Sequence, residues 1–401
     1  MNKQQRRAQM AAEFAKLYRA EPTLWTRAPG RVDLMGSHTD YNDGFILTMT
    51  IDRDTWIAAR PRDDGYIRLH SLNVPGGGEF EVACIEFNTQ THWVNYVSGV
   101  VKIMQAADYP VRGFDALVHT TVPVASGLSS SAALEMAAAR LVEQLSGQAI
   151  DPVTLAKLGQ RAENQFVGVN CGILDQYTSA VGRAGCALLL DARHLTSEDI
   201  PLAPGIQVVI GDTRAPRNLA GTEYDERRAQ CEEGVRLIRA VAPEVAALRD
   251  VSAADFEEYA PLLPTLVARR CRFIVEENAR VQAMAHALPA GDRAALHDLF
   301  ASSYAGACEL YELCVPVMDA MLAAMRSAPG FIAGRQAGAG FGGCLVALVE
   351  EAETAPFMAH VAQYYAQATG VTPAIYAVSP TDGAGALDWT VAWDNVLPLS
   401  R

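Results

Sequence analysis

Residues 38–44, HTDYNDG, put a histidine, two aspartates and a tyrosine directly ahead of a turn signal and directly behind the apolar-rich APGRVDLMGS. A second stretch, VPVASGLSSSAALEMAAAR, passes from a strand pattern through a Gly/Ser loop into a helix. The unsatisfied N–H groups and positive dipole end of such a helix start form an anion site, and small residues let a phosphate come close. No G-K-[ST] follows, so this is not a P-loop, and an ordinary serine-rich cap reads the same way. AENQFVGVNCGILDQYTSAVG sets Glu163 at a helix end and Asp175 in a second helical stretch beyond a glycine-containing loop. Two acids in apolar surroundings suit a metal ligand and a base, magnesium preferring hard oxygen ligands together with phosphates; Asp175 as a plain helix cap is the alternative. Trp93 and Tyr96, three apart on one helix face, either shelter an adenine or belong to the core. GAGFGG at 338–343 satisfies G-x-G-x-x-G but runs into the strand CLVALVE, which excludes a dinucleotide fold; it marks close backbone approach to another segment or to a ligand.

These groups must be positioned by a chain of 401 residues, too long for one core and divisible into two domains. After an amphipathic N-terminal helix come short β-rich runs, FILTMTIDR, TWIAARP, YIRLHSL and FEVACIEF, which predict an antiparallel sheet. WVNYVSGVVKIMQAA reads as a helix and FDALVHTTV as a strand. SSSAALEMAAARLVEQLSG predicts a helix closed by Gly147, and DPVTLAKLGQRAENQFVG one capped by Asp151. From residue 206 the pattern restarts with IQVVIGD, long helices from Tyr224 to about Ala242 and from Pro264 to about Ala287, and the strands CLVALVE and AIYAVSP around the helix PFMAHVAQYYAQATG. Mixed strand and helix runs without regular alternation predict an α+β protein with domains 1–205 and 206–401.

A net charge of -13 argues against nucleic acid as a partner, and no run of 18 apolar residues offers a membrane span. The N-terminus lacks the apolar stretch of a signal peptide. Eight scattered cysteines without a C-x-x-C pair favour reduced, mostly buried thiols in a cytoplasmic protein and make zinc an unlikely ligand. A monomer or weak homo-oligomer is expected.

Taken together and in order, APGRVDLMGSHTDYNDG, VPVASGLSSSAAL, CGILDQY and AGAGFGGC resemble the galactokinase branch of the GHMP small-molecule kinases, over nearly the whole chain including TEYDERRAQCEE and GCALLLDAR. The resemblance implies an N-terminal domain like domain 2 of ribosomal protein S5, a ferredoxin-like C-terminal domain, and a cleft between them. There ATP would transfer its γ-phosphoryl group to the anomeric hydroxyl of a sugar. It further implies that Gly127, Leu128, Ser129, Ser130 and Ser131 cradle the phosphates, that Ser131 and Glu163 hold Mg2+, and that Asp175 faces the sugar C1 hydroxyl with Arg31 beside it. His38, Asp40, Gly172 and Tyr224 would hold other hydroxyls, and Trp93 and Tyr96 would lie near the adenine. The polar density of residues 38–44 then has a reason: distinguishing epimers requires a fixed partner for each hydroxyl. On an extended segment His38 and Asp40 would share one face.

The sequence departs from the family where galactokinases usually read G-E-H-x-D-Y, since Ser37 replaces the glutamate. That acid would lie near the sugar C6, and like charges about 4 Å apart cost roughly 4 kcal/mol at an effective dielectric near 20, so serine admits a uronate that glutamate excludes. Galactose is the expected substrate, with D-galacturonate and L-arabinose as rivals. Asp33 stands where the family usually has Asn, and Phe273 where a histidine is common. A non-catalytic sugar and ATP sensor is disfavoured by the complete GLSSSAAL and by Asp175, and the mevalonate and homoserine branches by H-T-D-Y and CGILDQY.

Overall fold

The apolar runs become strands of two sheets, and the long helical periods cover them. The structure, a computed structural model, describes residues 1–124, 126–215, 221–338 and 340–389. Ala125 of the serine-rich stretch and Ala339 of the glycine run lie outside the described residues. The first half runs α1 (Lys3–Tyr18), β1 (Leu24–Met35), β2 (Phe45–Arg62), β3 (Tyr66–Ser71), β4 (Gly77–Glu81), α2 (Val94–Ala106), β5 (Gly113–Thr120), α3 (Ser130–Ser146), α4 (Pro152–Ala162), α5 (Leu174–Val181), β6 (Cys186–Asp191) and β7 (Thr196–Pro201). The second runs β8 (Ile206–Asp212), α6 (Gly221–Arg239), α7 (Ala253–Tyr259), α8 (Thr265–Ala290), α9 (Arg293–Glu309), α10 (Pro316–Arg326), β9 (Phe331–Gln336), β10 (Cys344–Glu350), α11 (Thr354–Thr369) and β11 (Ala374–Val378), with β12 (Gly385–Ala386) at the end.

In the first sheet the order is β12-β1-β2-β5-β3-β4, with β6 and β7 added alongside β2. It is antiparallel except for β3 against β5. The second sheet, β11-β8-β10-β9, is wholly antiparallel. Its last strand lies beside its first, followed by its third and second, with helices in the crossovers, which is the ferredoxin-like arrangement. The halves share a core in which Val32, Leu34 and Met49 of the first sheet cluster with Val208, Ile210, Val346 and Leu348 of the second and with Val281 of α8.

Helix ends follow the sequence signals. Gly147 closes α3 at φ 70, a left-handed conformation that a glycine adopts without strain. The Asp151 side chain accepts from the Thr154 N–H at the start of α4, which continues into a π-helical turn over 163–167.

Four expectations are corrected. FILTMTIDR and TWIAARP form one strand, because the buried Asp54 between them is paired by Arg6 and Arg27 while Asp52 faces solvent. FEVACIEF is a strand only as far as Glu81; beyond it the carbonyls of Val82 and Ile85 accept from Gln105 and Lys102 of α2 instead of a neighbouring strand. The HTDYN segment is not extended: His38 is left-handed at φ 67, and Asp40–Asn42 form a single 3-10 turn. Thr39 donating to the Gly36 carbonyl and Asn42 to that of His38 supply the local side-chain bonds that outcompete a strand. Finally, the thiols are not all reduced. The end of α9 and the approach to α10 bring Cys308 and Cys314 to a Cα separation of 4.9 Å in a disulfide, and of the other six cysteines three are buried. Among the described residues no helix is long and apolar enough to cross a membrane.

Candidate active site

The sharp turn after β1, the loop before α3 and the start of α5 converge on a cavity of about 620 Å³. It is lined by Arg31, Ser37, His38, Asp40, Gly127, Ser129, Ser130, Ser131, Glu163, Gly172, Asp175 and Tyr224. Twelve of the residues singled out from the sequence are therefore gathered in one place. Trp93 and Tyr96 line a second cavity of about 300 Å³, which shares Ser130 and Ser131 with the first. A phosphate chain on those serines would thus have an apolar recess on one side and the polar cavity on the other. Leu128 does not face either cavity. Its side chain is fully buried in the shared core, and only its carbonyl serves the loop, accepting from the Arg31 N–H at 3.2 Å.

Asp175, in the first turn of α5, meets the guanidinium of Arg31, whose Nε donates to Oδ1 at 2.8 Å. Arg31 also donates through Nη1 to the Gly127 carbonyl at 2.8 Å and lies 3.2 Å from Asp33, so one side chain ties β1, the serine loop and α5 together. Burial alone would lower the pKa of Arg31, but Asp175 and Asp33 outweigh it and raise it. Asp33, unexplained from the sequence, thereby acts as a second counter-charge to Arg31. The start of α3 carries no side-chain cap, because Ser129 is left-handed at φ 57 and turns its hydroxyl away. Backbone N–H groups at the helix start therefore remain available to an anion.

Glu163 is buried, with its Oε2 accepting from Gln176 at 2.6 Å. Burial, reinforced by Asp175, pushes its carboxyl above the ordinary range against hydrogen bonds from Cys171, Gln176 and Ser131. Neighbouring Glu135 is raised well above that range, by burial first and Glu163 second. Among the described residues neither has an arginine or lysine partner in an ion pair. No three His, Cys, Asp or Glu side chains among the described residues form a self-sufficient metal cage. A hydroxyl and a carboxylate short of positive charge fit Mg2+, which completes its shell with phosphate and water oxygens.

On the sugar side, Asp40 is partly exposed towards the cavity, and burial of its remainder, with Asp175 and Asp33 nearby, raises its pKa to about 6. Gly172 lies against it, and a Cβ there would stand 1.8 Å from Asp40 Oδ2, so any larger residue would push the Asp40 carboxylate out of this position. The Tyr41 hydroxyl is 2.8 Å from His38 Nδ1 and 2.8 Å from the Tyr311 hydroxyl, and the Tyr224 ring packs 5.5 Å from that of His38. Phe273, the other unexplained residue, packs its ring at a tilt against Tyr311 with centroids 4.7 Å apart, behind this aromatic group. Ser37 Oγ accepts from Arg335 Nη2 at 2.9 Å, and Arg335 in turn pairs with Glu277 at 2.9 Å with both side chains fully buried. Sequence reasoning missed Tyr311, Arg335 and Glu277, which carry no motif of their own. The glycine run joins β9 to β10, with Gly338 on the cavity wall and Gly340 so close to Leu313 that a Cβ would approach within 2.7 Å.

Comparison with known proteins agrees with this geometry. Family models match the chain at residues 12–61 (galactokinase galactose-binding signature), 95–183 (GHMP kinases N terminal domain) and 284–367 (GHMP kinases C terminal). The galactokinase of Chloroflexus aggregans is 43% identical over 374 residues, 93% of this chain and 95% of that protein. That of a Roseiflexus species is 41% identical over 377 residues, 94% and 96%. The crystal structure of Lactococcus lactis galactokinase complexed with galactose superposes with a TM-score of 0.90 at 31% identity, covering 95% of this chain and 99% of that one. Methanococcus jannaschii mevalonate kinase, at 15% identity and a TM-score of 0.64 over 91% of this chain and 100% of its own, shares the fold.

Proposed function

The chain belongs to the galactokinase family of GHMP kinases, sugar kinases that are phosphotransferases acting on an alcohol group, and from that premise we propose that it phosphorylates the anomeric hydroxyl of galactose from ATP. The observation that carries this reading is the convergence of the Asp175–Arg31 pair, the uncapped start of α3 and the Asp40 loop on one cavity.

Phosphoryl transfer asks for in-line positioning and charge stabilisation more than for covalent chemistry. In this assignment the amides at the start of α3, with the backbone of Ser129 and the hydroxyls of Ser130 and Ser131, hold the phosphates, and Trp93 and Tyr96 enclose the adenine. Ser131 and Glu163 are the ligands for Mg2+, which when bound neutralises phosphate charge. Asp175 accepts or orients the C1 hydroxyl proton, and Arg31 fixes the Oδ1 of that carboxylate while offering positive charge beside the reacting oxygens. Asp40, His38, Gly172 and Tyr224 bind the remaining hydroxyls. The division of the chain near residue 205 belongs to the same proposal, supported by β7 and β8 lying in different sheets, with β12 returning to pair with β1. A cytoplasmic setting goes with the use of ATP.

Ser37 leaves the substrate choice testable. ADP release measured with galactose, D-galacturonate and L-arabinose should be fastest with galactose. Absence of turnover with galactose would refute the assignment, and a preference for the uronate would reassign the substrate to the one Ser37 admits on charge grounds.

Asp40 adds a pH dependence. Its folded pKa of about 6 lies above the ordinary 3.8, so the acceptor form that binds hydroxyls is lost as pH falls through about 6. The kcat/KM for sugar, which reports the free enzyme, should therefore fall about tenfold per unit below that pH. The stability sign is opposite: a raised carboxylate favours the fold most below its unfolded pKa and loses that contribution as pH rises through 6. Asp40→Asn should thus be more stable at pH 7 while binding sugar poorly, measured by denaturation and by titration with galactose. A sugar kcat/KM flat down to pH 5 would remove Asp40 from the hydroxyl-binding set.

A further inference from the structure

Ser129 occupies an unusual position. It is the residue before α3, where a serine ordinarily turns its hydroxyl back onto the N–H groups of the first helical turn. Here it does not: φ is 57 and ψ is 51, a left-handed backbone that a residue with a Cβ adopts only under strain, and no side-chain cap is made. The side chain is buried, and its Oγ donates instead to Oδ2 of Asp175. Arg31 holds the other oxygen, Oδ1, so each oxygen of the carboxylate has its own donor.

We infer that Ser129 is a positioning residue for Asp175, its hydroxyl fixing the rotation of the carboxylate so that Oδ2 presents a lone pair to the acceptor hydroxyl of the substrate. The inference rests on the reading of Asp175 as the group that meets that hydroxyl. One donor cannot set the rotation of a carboxylate about its Cβ–Cγ bond, because Oδ1 can stay on Arg31 while Oδ2 swings. Two donors on two oxygens set it. The same backbone twist has a second result, since a hydroxyl spent on Asp175 is not spent on the helix start, whose amides stay open to phosphate. A single strained residue thereby registers the phosphate loop against the carboxylate across which the group must travel, and positional errors of that kind cost about 100-fold per ångström.

The test compares Ser129→Ala, which keeps the backbone strain and removes the hydroxyl, with Ser129→Gly, which removes both. Each is made alone and combined with Asp175→Asn. Positioning through the hydroxyl predicts that both single variants lose about 10- to 100-fold in kcat, with KM for galactose and for ATP changed less than about threefold. It also predicts that Ser129→Gly is at least as heat-stable as the parent. In the double variants the Ser129 change should add no further loss, since its route through Asp175 is already gone. A Ser129→Gly enzyme with parental kcat would show that only the backbone conformation matters and overturn the inference. So would a rise in KM for ATP matching the fall in kcat, or a full multiplicative loss in the double variants. Parental turnover by Asp175→Asn alone would overturn the reading of Asp175 itself, and the positioning role with it.

Discussion

Replacing Asp175 by alanine is expected to lower kcat for galactose by about 1,000-fold while ATP binding stays within a few-fold of the parent. A positioned general base contributes about 10²- to 10⁴-fold, and the remaining acceleration comes from phosphate binding and orientation, which this variant leaves in place. Three features of the site support a loss confined to turnover. Asp175 lies on the sugar side of the serine loop, away from the cavity bounded by Trp93 and Tyr96. Arg31 is not stranded when Asp175 is removed, because Asp33 remains 3.2 Å from it and the Gly127 carbonyl still accepts from it. The N–H groups at the start of α3 belong to the backbone, and the left-handed Ser129 backbone directs its hydroxyl away from them whether or not Asp175 is present. Steady-state ADP release and nucleotide titration on the same preparation separate the two quantities. Turnover within tenfold of the parent would show that Asp175 is not the group that handles the hydroxyl. A parallel collapse of ATP binding would show that it organises the phosphate loop instead. Measurable turnover by the parent also disposes of the non-catalytic sensor, which shares every binding element and differs only in lacking chemistry.

Much of this site was legible in the sequence because its parts are local. The Gly/Ser loop opening α3 and Asp175 in the first turn of α5 stand out within short stretches, but each also reads locally as an ordinary cap, and Gly172 and the roles of all three come only from the order of the motifs along the chain. Leu128 shows the limit of reading such a motif residue by residue: it sits among the phosphate-loop serines, yet its side chain belongs to the core. Conformation was less legible than location. HTDYN reads as extended by alternation, but the hydroxyl of Thr39 and the amide of Asn42 capture local carbonyls and wind it into a turn. Least legible was what comes from the other half of the chain. Arg335 reaches Ser37 across 298 positions and Tyr311 reaches Tyr41 across 270, and no spacing rule acts over such separations. The meaning of Ser37 is of this kind. Its neighbour is a buried arginine, so the oxygen at this position is held as an acceptor, a constraint invisible from the turn that carries it.

That arginine sets the second large effect. Glu277 is fully buried on α8, where its carboxylate accepts from Arg335 at 2.9 Å, from Arg280 at 2.8 Å, from the Ser303 hydroxyl and, at 3.1 Å, from the Gly36 N–H. Burial by itself would raise the pKa of this carboxyl, but Arg335 and Arg280 overcome it and hold it below the ordinary range. Its stabilising contribution is therefore present above the unfolded pKa and is lost as pH falls through the lower folded value. Glu277→Ala leaves Arg335 charged, wholly enclosed and without its counter-ion, and should cost about 3–5 kcal/mol by urea denaturation. Exchanging both partners for methionine should recover most of that loss, since the desolvation of a buried pair nearly cancels its attraction. Recovery of stability need not restore function. Gly36 loses its partner in either variant and Ser37 loses its own once Arg335 is exchanged, and the left-handed His38 follows directly, so the double variant should fold and still show a KM for galactose raised about tenfold or more, the equivalent of roughly 1.4 kcal/mol. A loss below about 1 kcal/mol in Glu277→Ala would mean that water reaches Arg335 and the pair is not the anchor of the sugar loop. A double variant with parental KM would mean that the loop holds its shape through Thr39 and Asn42 alone.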